Sequence, residues 1–222
     1  MQSVQAVVFD VGETLVDETR AWSAWADHLG VPRLTFMTAL GASLARGESH
    51  REVFELFAPG REIDAEYRRL VAARDFPVVA PEDLYPDALP CLEALAADGY
   101  RLGIAANQPA ETADALREAS IEVELMAMSD AWGLYKPDPA FFARIAEELA
   151  LPPAAIAYVG DRLDNDVGPA HAAGMIAIFV RRGPWAWINT PRGEPPEADL
   201  VVESLAELPI RLRRSPFGRR GS

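Results

Sequence analysis

The stretch VVFDVGETLVD, residues 7–17, decides the reading of this chain. A short apolar run leads straight into Asp10 and is followed by Gly12, Thr14 and Asp17. Unbroken apolar runs of this length are expected of strands covered on both faces, so Asp10 falls at a carboxyl end. A lone aspartate there has a plain explanation, because it can cap the next turn. Its meaning depends on what the rest of the chain brings to the same edge.

Four further runs match the first, which extends over 6–11: RLGIAAN (101–107), VELMAMS (123–129), AIAYVGD (155–161) and MIAIFVRR (175–182). Helical patterns lie at 88–98, 109–119, 138–150 and 164–173. Strand and helix in regular alternation predict an α/β fold, a doubly wound parallel sheet with right-handed crossovers. Ligands gather at strand carboxyl ends in such sheets, where Asp10, Asn107, Ser129 and Asp161 sit. Residues 17–84 break the rhythm with four apolar helical faces: Trp22, Trp25 and Leu29; Phe36, Leu40 and Leu44; Val53, Phe54 and Phe57; Ile63, Tyr67, Leu70 and Val71. They predict a helical domain inserted after the first strand. The core is then 1–16 with 85–210, and 211–222 is left as a basic, solvated tail. Aromatic residues at helical spacing are read as core packing. Trp185 and Trp187, in RRGPWAW, are read as packing against a sheet edge.

The 222 residues carry 34 acids against 21 bases, a formal charge of −13, and five of the bases lie from Arg211 onward. That balance excludes a protein holding nucleic acid by phosphate neutralisation. The single cysteine, Cys91, excludes an internal disulfide and a cysteine-rich metal site. No run approaches the roughly 20 apolar residues that span a bilayer, and the N-terminus lacks signal-peptide features. These observations predict a cytoplasmic protein with no membrane partner. Monomer and homodimer are both compatible with the sequence.

GLYKPDPAFF places Lys136 in a loop before a helix, and YVGDRLDND places Asp161 at a strand end, followed by Asp164, Asn165 and Asp166. Carboxylates meeting at one sheet edge repel unless a cation lies between them. Oxygen donors with room for water suit Mg²⁺. Lys136 would add a fixed positive charge beside Asp10 and an incoming phosphoryl group.

The set FDxxxTL, an apolar strand ending in Asn, KPDP and GDxxxND, in this order, resembles the haloacid dehalogenase-like hydrolases over nearly the whole chain, with residues 17–84 similar to that superfamily's C1 cap. The resemblance implies that Asp10 is a nucleophile forming an aspartyl-phosphate and that Lys136 assists it. It makes Asp10, Asp161, Asp166 and the main-chain carbonyl of Gly12 the Mg²⁺ ligands. Ala106, Asn107 and Lys136 become the phosphate-binding positions. The partner implied is a small phosphorylated or anionic metabolite.

Two departures stand out. Where the family's phosphatases usually place a second, acid/base aspartate, this chain has Gly12; where they place Ser or Thr, it has Ala106. General acid or base assistance is worth about 10²- to 10⁴-fold, roughly 3–5 kcal/mol of barrier. Glu13 follows directly but points to the opposite side of an extended segment. Asp17 and Glu18 could swing inward to replace that aspartate, but read better as caps of the first inserted helix, and Asp164 reads as a cap of a later one. His28, His50 and His171 have no metal-ligand spacing. Three functions remain open: a Mg²⁺-dependent phosphatase with impaired acid/base chemistry, a binding or regulatory protein on a hydrolase scaffold, and a carbon–halogen hydrolase. Gly12 permits the last; Asp161 opposes it.

Overall fold

In the computed structural model, residues 3–190, 195 and 197–218 are described. The first strand, β1 (Ala6–Phe9), is buried along its whole length. Ala6 and Val8 face a cluster that includes Phe141, Phe142 and Ile145; Val7 and Phe9 face another with Cys91, Leu92 and Leu95. Two covered faces are why the strand reads as a continuous apolar run rather than an alternating one. Full burial of each such aromatic or aliphatic side chain contributes roughly 1.5–3 kcal/mol.

Four helices follow: α1 (Thr19–His28), α2 (Arg33–Ala45), α3 (Glu52–Phe57) and α4 (Ile63–Ala72). The chain returns through α5 (Ala88–Ala97) to β2 (Arg101–Ala106), α6 (Thr112–Glu118), β3 (Leu125–Met128), α7 (Ser129–Trp132) and α8 (Pro139–Leu149). It ends with β4 (Ile156–Gly160), α9 (Gly168–Ala172), β5 (Ile176–Val180), α10 (Gly183–Asn189), β6 (Leu200–Val202) and α11 (Leu208–Arg214). All strands pair in parallel, in the order β3-β2-β1-β4-β5-β6. The order reverses direction between β1 and β4, and a crevice opens beyond their carboxyl ends at such a switch point. Asp10 and Asp161 are the residues immediately after these two strands.

The four inserted helices enclose their own core of Trp25, Phe36, Leu40, Leu44, Val53, Phe54 and Phe76. Trp25 lies 4.9 Å from the Phe76 ring and 5.0 Å from Phe54 and is packing as expected, whereas Trp22, also packed on this core, lines the pocket over Asp10 as well. Trp185 of α10 joins that core, which ties the inserted helices to the sheet layer. Trp187 is 56 % exposed instead.

Three further expectations change. A sixth strand, β6, exists although LVV is too short to stand out among apolar runs. The helix expected over 164–173 begins as a π-turn at Leu163–Val167 and becomes α-helical only from Gly168. The tail expected from 211 is helical through Arg214, because Leu208 and Leu212 are fully buried against α5 and the Val4 amide donates to the Phe217 carbonyl at 2.9 Å. Residues 219–222 lie outside the described residues.

Candidate active site

β1 ends at Phe9, and the Asp10 amide donates to the Val159 carbonyl at 2.9 Å, which fixes Asp10 at the switch point. From the loop before α8, the Lys136 ammonium donates to Asp10 Oδ1 at 2.7 Å and to Asp166 Oδ1 at 2.6 Å. Lys136 is 4 % exposed and its Nζ stands 5.5 Å from the centre of the Tyr158 ring. Asn107 aims this lysine: its Oδ1 accepts from the Lys136 amide at 2.8 Å and its Nδ2 donates to the Lys136 carbonyl at 2.9 Å. Asn107, expected as a phosphate-binding position, lines the pocket over Asp10 and holds the lysine loop against the end of β2.

Asp166 comes from the π-turn, whose wider coil brings its carboxylate back over β4. The Arg162 amide donates to Asp166 Oδ2 at 3.1 Å. A side chain at Gly160 would start 2.5 Å from Asp166 Cβ, so glycine is what lets this turn approach the strand. Carboxylate oxygens of Asp10, Asp161 and Asp166 all lie within 4.8 Å of one another, and all three residues are buried. Among the described residues, two buried side-chain oxygens have no partner: Thr14 Oγ1 and Asp161 Oδ2. An unpaired carboxylate oxygen in an all-oxygen cluster is costly alone and is what a hard divalent cation satisfies. The donor set therefore fits Mg²⁺.

Burial, then the neighbouring Asp166, Asp10 and Glu13, push the Asp161 carboxyl well above the usual carboxylate range. Burial also raises Asp166, to about 6, although Lys136 opposes it. Burial works against the charge on Lys136, but Asp10 and Asp166 outweigh it and hold the ammonium well above the ordinary lysine value. The cluster carries three carboxyls for one ammonium, and that excess is the physical invitation to a cation.

A model of the family described as haloacid dehalogenase-like hydrolase matches residues 4–174. The chain belongs to the haloacid dehalogenase-like hydrolases. It is 29 % identical over 228 residues to a glyceraldehyde 3-phosphate phosphatase of Methanopyrus kandleri, covering 92 % of this chain and 95 % of that one. It is 26 % identical over 228 residues to (S)-2-haloacid dehalogenase 4A of Burkholderia cepacia, covering 94 % of each. Among solved structures, a HAD phosphatase from Thermococcus onnurineus superposes with a TM-score of 0.62 at 26 % identity, covering 96 % of this chain and 99 % of that one.

In this hydrolase the pocket over Asp10 has a volume of about 190 Å³. Gly12, Asn107, Lys136 and Asp161 form its floor, and Trp22 and His50 reach it from the inserted helices. The other expected site positions fare differently. Ala106 is fully buried in the apolar core, so its side chain offers nothing to a ligand. Ser129 donates to the Gln108 carbonyl at 3.3 Å and braces that loop. Asp164 pairs with Arg162 at 2.6 Å rather than capping a helix.

The acids after Asp10 divide their tasks. Glu13, whose φ is +52°, accepts from the Tyr85 hydroxyl at 2.6 Å and from the Glu18 amide at 3.1 Å, and burial raises its pKa. Asp17 takes the cap role, accepting from the Thr19 amide at 2.8 Å. Glu18 does not cap. Its carboxyl enters the pocket beside Asp10, and burial with the charges of Glu13 and Asp10 pushes it up to about 7. The sequence favours a cap over this inward turn because a residue at a helix start has a cheaper local explanation than one reaching six positions back along the chain.

His28 bonds Glu66 at 2.5 Å and His171 lies 3.6 Å from Asp199, both away from the pocket. His50, wedged edge-on to Trp22 and Trp185 at 6.0 and 6.2 Å, is pushed down to about 4 by burial and by Arg162 and Arg51. A depressed folded-state pKa gives stability that is complete above the unfolded value near 6.5 and is lost as pH falls through 4. This one group is worth about 3 kcal/mol over that window. His50→Gln is therefore expected to flatten the fall in urea-unfolding free energy between pH 7 and pH 4; an identical fall in parent and variant would contradict the placement of His50.

Proposed function

We propose that this hydrolase is a Mg²⁺-dependent phosphatase acting on a small phosphorylated metabolite, with Asp10 as nucleophile. The observation that carries the reading is the Asp10, Asp161 and Asp166 cluster with its unpaired Asp161 Oδ2. Displacement of halide from carbon has no use for Asp161, and the cost of its buried, unpaired carboxylate oxygen beside the nucleophile is explained by a bound cation. Asp10, Asp161, Asp166 and the Gly12 carbonyl would hold Mg²⁺, which when bound offsets the repulsion between the nucleophile and the phosphoryl oxygens.

The chain's own residues supply the rest. Lys136 orients Asp10 through its 2.7 Å hydrogen bond and sets a positive charge beside the incoming phosphoryl group. Asp10 attacks phosphorus, giving an aspartyl-phosphate on the protein and freeing the alcohol; water then hydrolyses that acyl phosphate. The inserted helices act as a cap that excludes bulk water and selects the alcohol through Trp22 and His50. The phosphatase name of the Methanopyrus kandleri relative supports the choice of substrate class.

The test is release of phosphate from glyceraldehyde 3-phosphate and from an aryl phosphate, beside release of chloride from 2-chloropropionate, each with Mg²⁺ and with EDTA. Mg²⁺-dependent phosphate release without chloride release is expected. Chloride release indifferent to EDTA would overturn the proposal in favour of the dehalogenase reading.

A further inference from the structure

The space that a side chain at position 12 would occupy is already filled. A Cβ built on Gly12 would lie 2.8 Å from Glu18 Cδ and closer still to its Oε1. Gly12 is not among the residues of positive φ, so its backbone does not demand glycine; the carboxyl of Glu18 does. That carboxyl is held from two sides. The Trp22 indole N–H donates to Oε2 at 3.3 Å, one helical turn along α1, and the Gln108 amide reaches Oε1 at 3.5 Å from the loop after β2. Glu18 also shares the walls of one pocket with Asp10, Lys136 and Asp161.

We infer that Glu18 is the acid/base catalytic residue of the phosphatase reaction, standing where a side chain at position 12 would otherwise stand. The inference rests on the phosphatase reading above. Its two steps balance. As Asp10 attacks phosphorus and the phosphorus–ester oxygen bond breaks, the Glu18 carboxylic acid gives its proton to the leaving alkoxide. When water attacks the aspartyl-phosphate, the Glu18 carboxylate takes the proton, the bond between phosphorus and Asp10 oxygen breaks, and inorganic phosphate leaves. The other acids nearby have other tasks: Glu13 bonds Tyr85 and the Glu18 amide, Asp17 the Thr19 amide and Asp166 Lys136, while Asp161 would hold the cation. The geometry also places the acid at the junction of sheet and insert, so its alignment depends on both.

The leaving group provides a signature that a merely structural role would not give. An alkyl alcohol needs its oxygen protonated as it departs, whereas an acidic phenol leaves with little help. Glu18→Gln, nearly the same shape, is expected to lower kcat/KM on an alkyl phosphate by about 10²- to 10⁴-fold and on a nitrophenyl phosphate far less. With the aryl substrate it should release a stoichiometric burst of phenol before a slow steady state, because the second step has lost its base. Gly12→Asp alone is expected to lower turnover, since two carboxylates would crowd one space. Glu18→Ala combined with Gly12→Asp should restore the alkyl phosphatase activity that Glu18→Ala loses.

Equal losses on alkyl and aryl substrates, no burst, and no restoration in the double variant would overturn the role of Glu18 while the parent's turnover leaves the phosphatase reading in place. Absence of any phosphate release by the parent would overturn both. Melting temperatures of each variant identify any that fail to fold, and the double variant reports on Glu18 independently of Glu18→Gln.

Discussion

Asp10→Asn is expected to abolish phosphate release while leaving the fold intact. A carboxamide has no anionic oxygen to attack phosphorus, and the neighbouring acids have other tasks: Asp166 is turned onto Lys136 and the Arg162 amide, and Asp161 would hold the cation. Removal of a covalent nucleophile costs on the order of 10⁴- to 10⁶-fold in kcat. Stability should change little, because the oxygen of the substituted carboxamide can still accept from the Lys136 ammonium that now meets Asp10 at 2.7 Å. The measurement is steady-state hydrolysis of an aryl phosphate at saturating Mg²⁺ beside thermal melting. Retention of a tenth of the parent's activity would remove Asp10 from the mechanism.

Asp161→Asn should separate stability from function in opposite directions. Without Mg²⁺, Asp161 brings a carboxyl into a fully buried site already holding Asp10 and Asp166, and its raised pKa means that ionising it costs stability at neutral pH. For a group raised in the folded state, the stabilising contribution is present below the unfolded pKa and lost as pH rises through the folded one. The neutral isostere escapes that loss, so the variant should melt higher than the parent in EDTA at pH 7. Mg²⁺ should reverse the ranking. At 100 times its dissociation constant, a ligand binding only the folded state contributes about 2.7 kcal/mol, or roughly 5–10 °C in a protein of this size. The parent should show that rise and Asp161→Asn should lose it together with turnover. A parent insensitive to millimolar Mg²⁺ would contradict the metal assignment.

Much of the architecture is legible along the chain because its signals are local. β1, β2, β4 and β5 announce themselves as apolar runs, since strands covered on both faces need no polar alternation, and the helical periods of residues 17–84 survive as the aromatic core around Trp25 and Phe54. β6 escapes notice because only three residues pair there, beside β5. The ordered end of the chain escapes notice because charge dominates its composition, while Leu208 and Leu212 dock it.

The site divides in the same way. Asp10, Lys136, Asp161 and Asp166 meet as their motifs imply, since each follows a strand or opens a helix at the same sheet edge. The hold of Asn107 on the lysine loop and the inward turn of Glu18 are hard to read along the chain for one reason: their decisive partners are distant in sequence. Asn107 clasps a backbone 29 residues away, and Glu18 faces Gln108 across 90 residues. No local pattern encodes either contact. The glycine at position 12, read alone, looks like a missing aspartate; read with Glu18 in space, it is the room that a more distant carboxyl requires.

The most direct test of the nucleophile assignment is to mix the protein with a nitrophenyl phosphate and Mg²⁺, quench in acid within the first turnover, and map the phosphoryl group by peptide mass spectrometry. The account predicts one phosphoryl group on the peptide bearing Asp10, absent from Asp10→Asn and absent when EDTA replaces Mg²⁺. Phosphate release with no phosphorylated peptide, or a phosphoryl group on another residue, would contradict it.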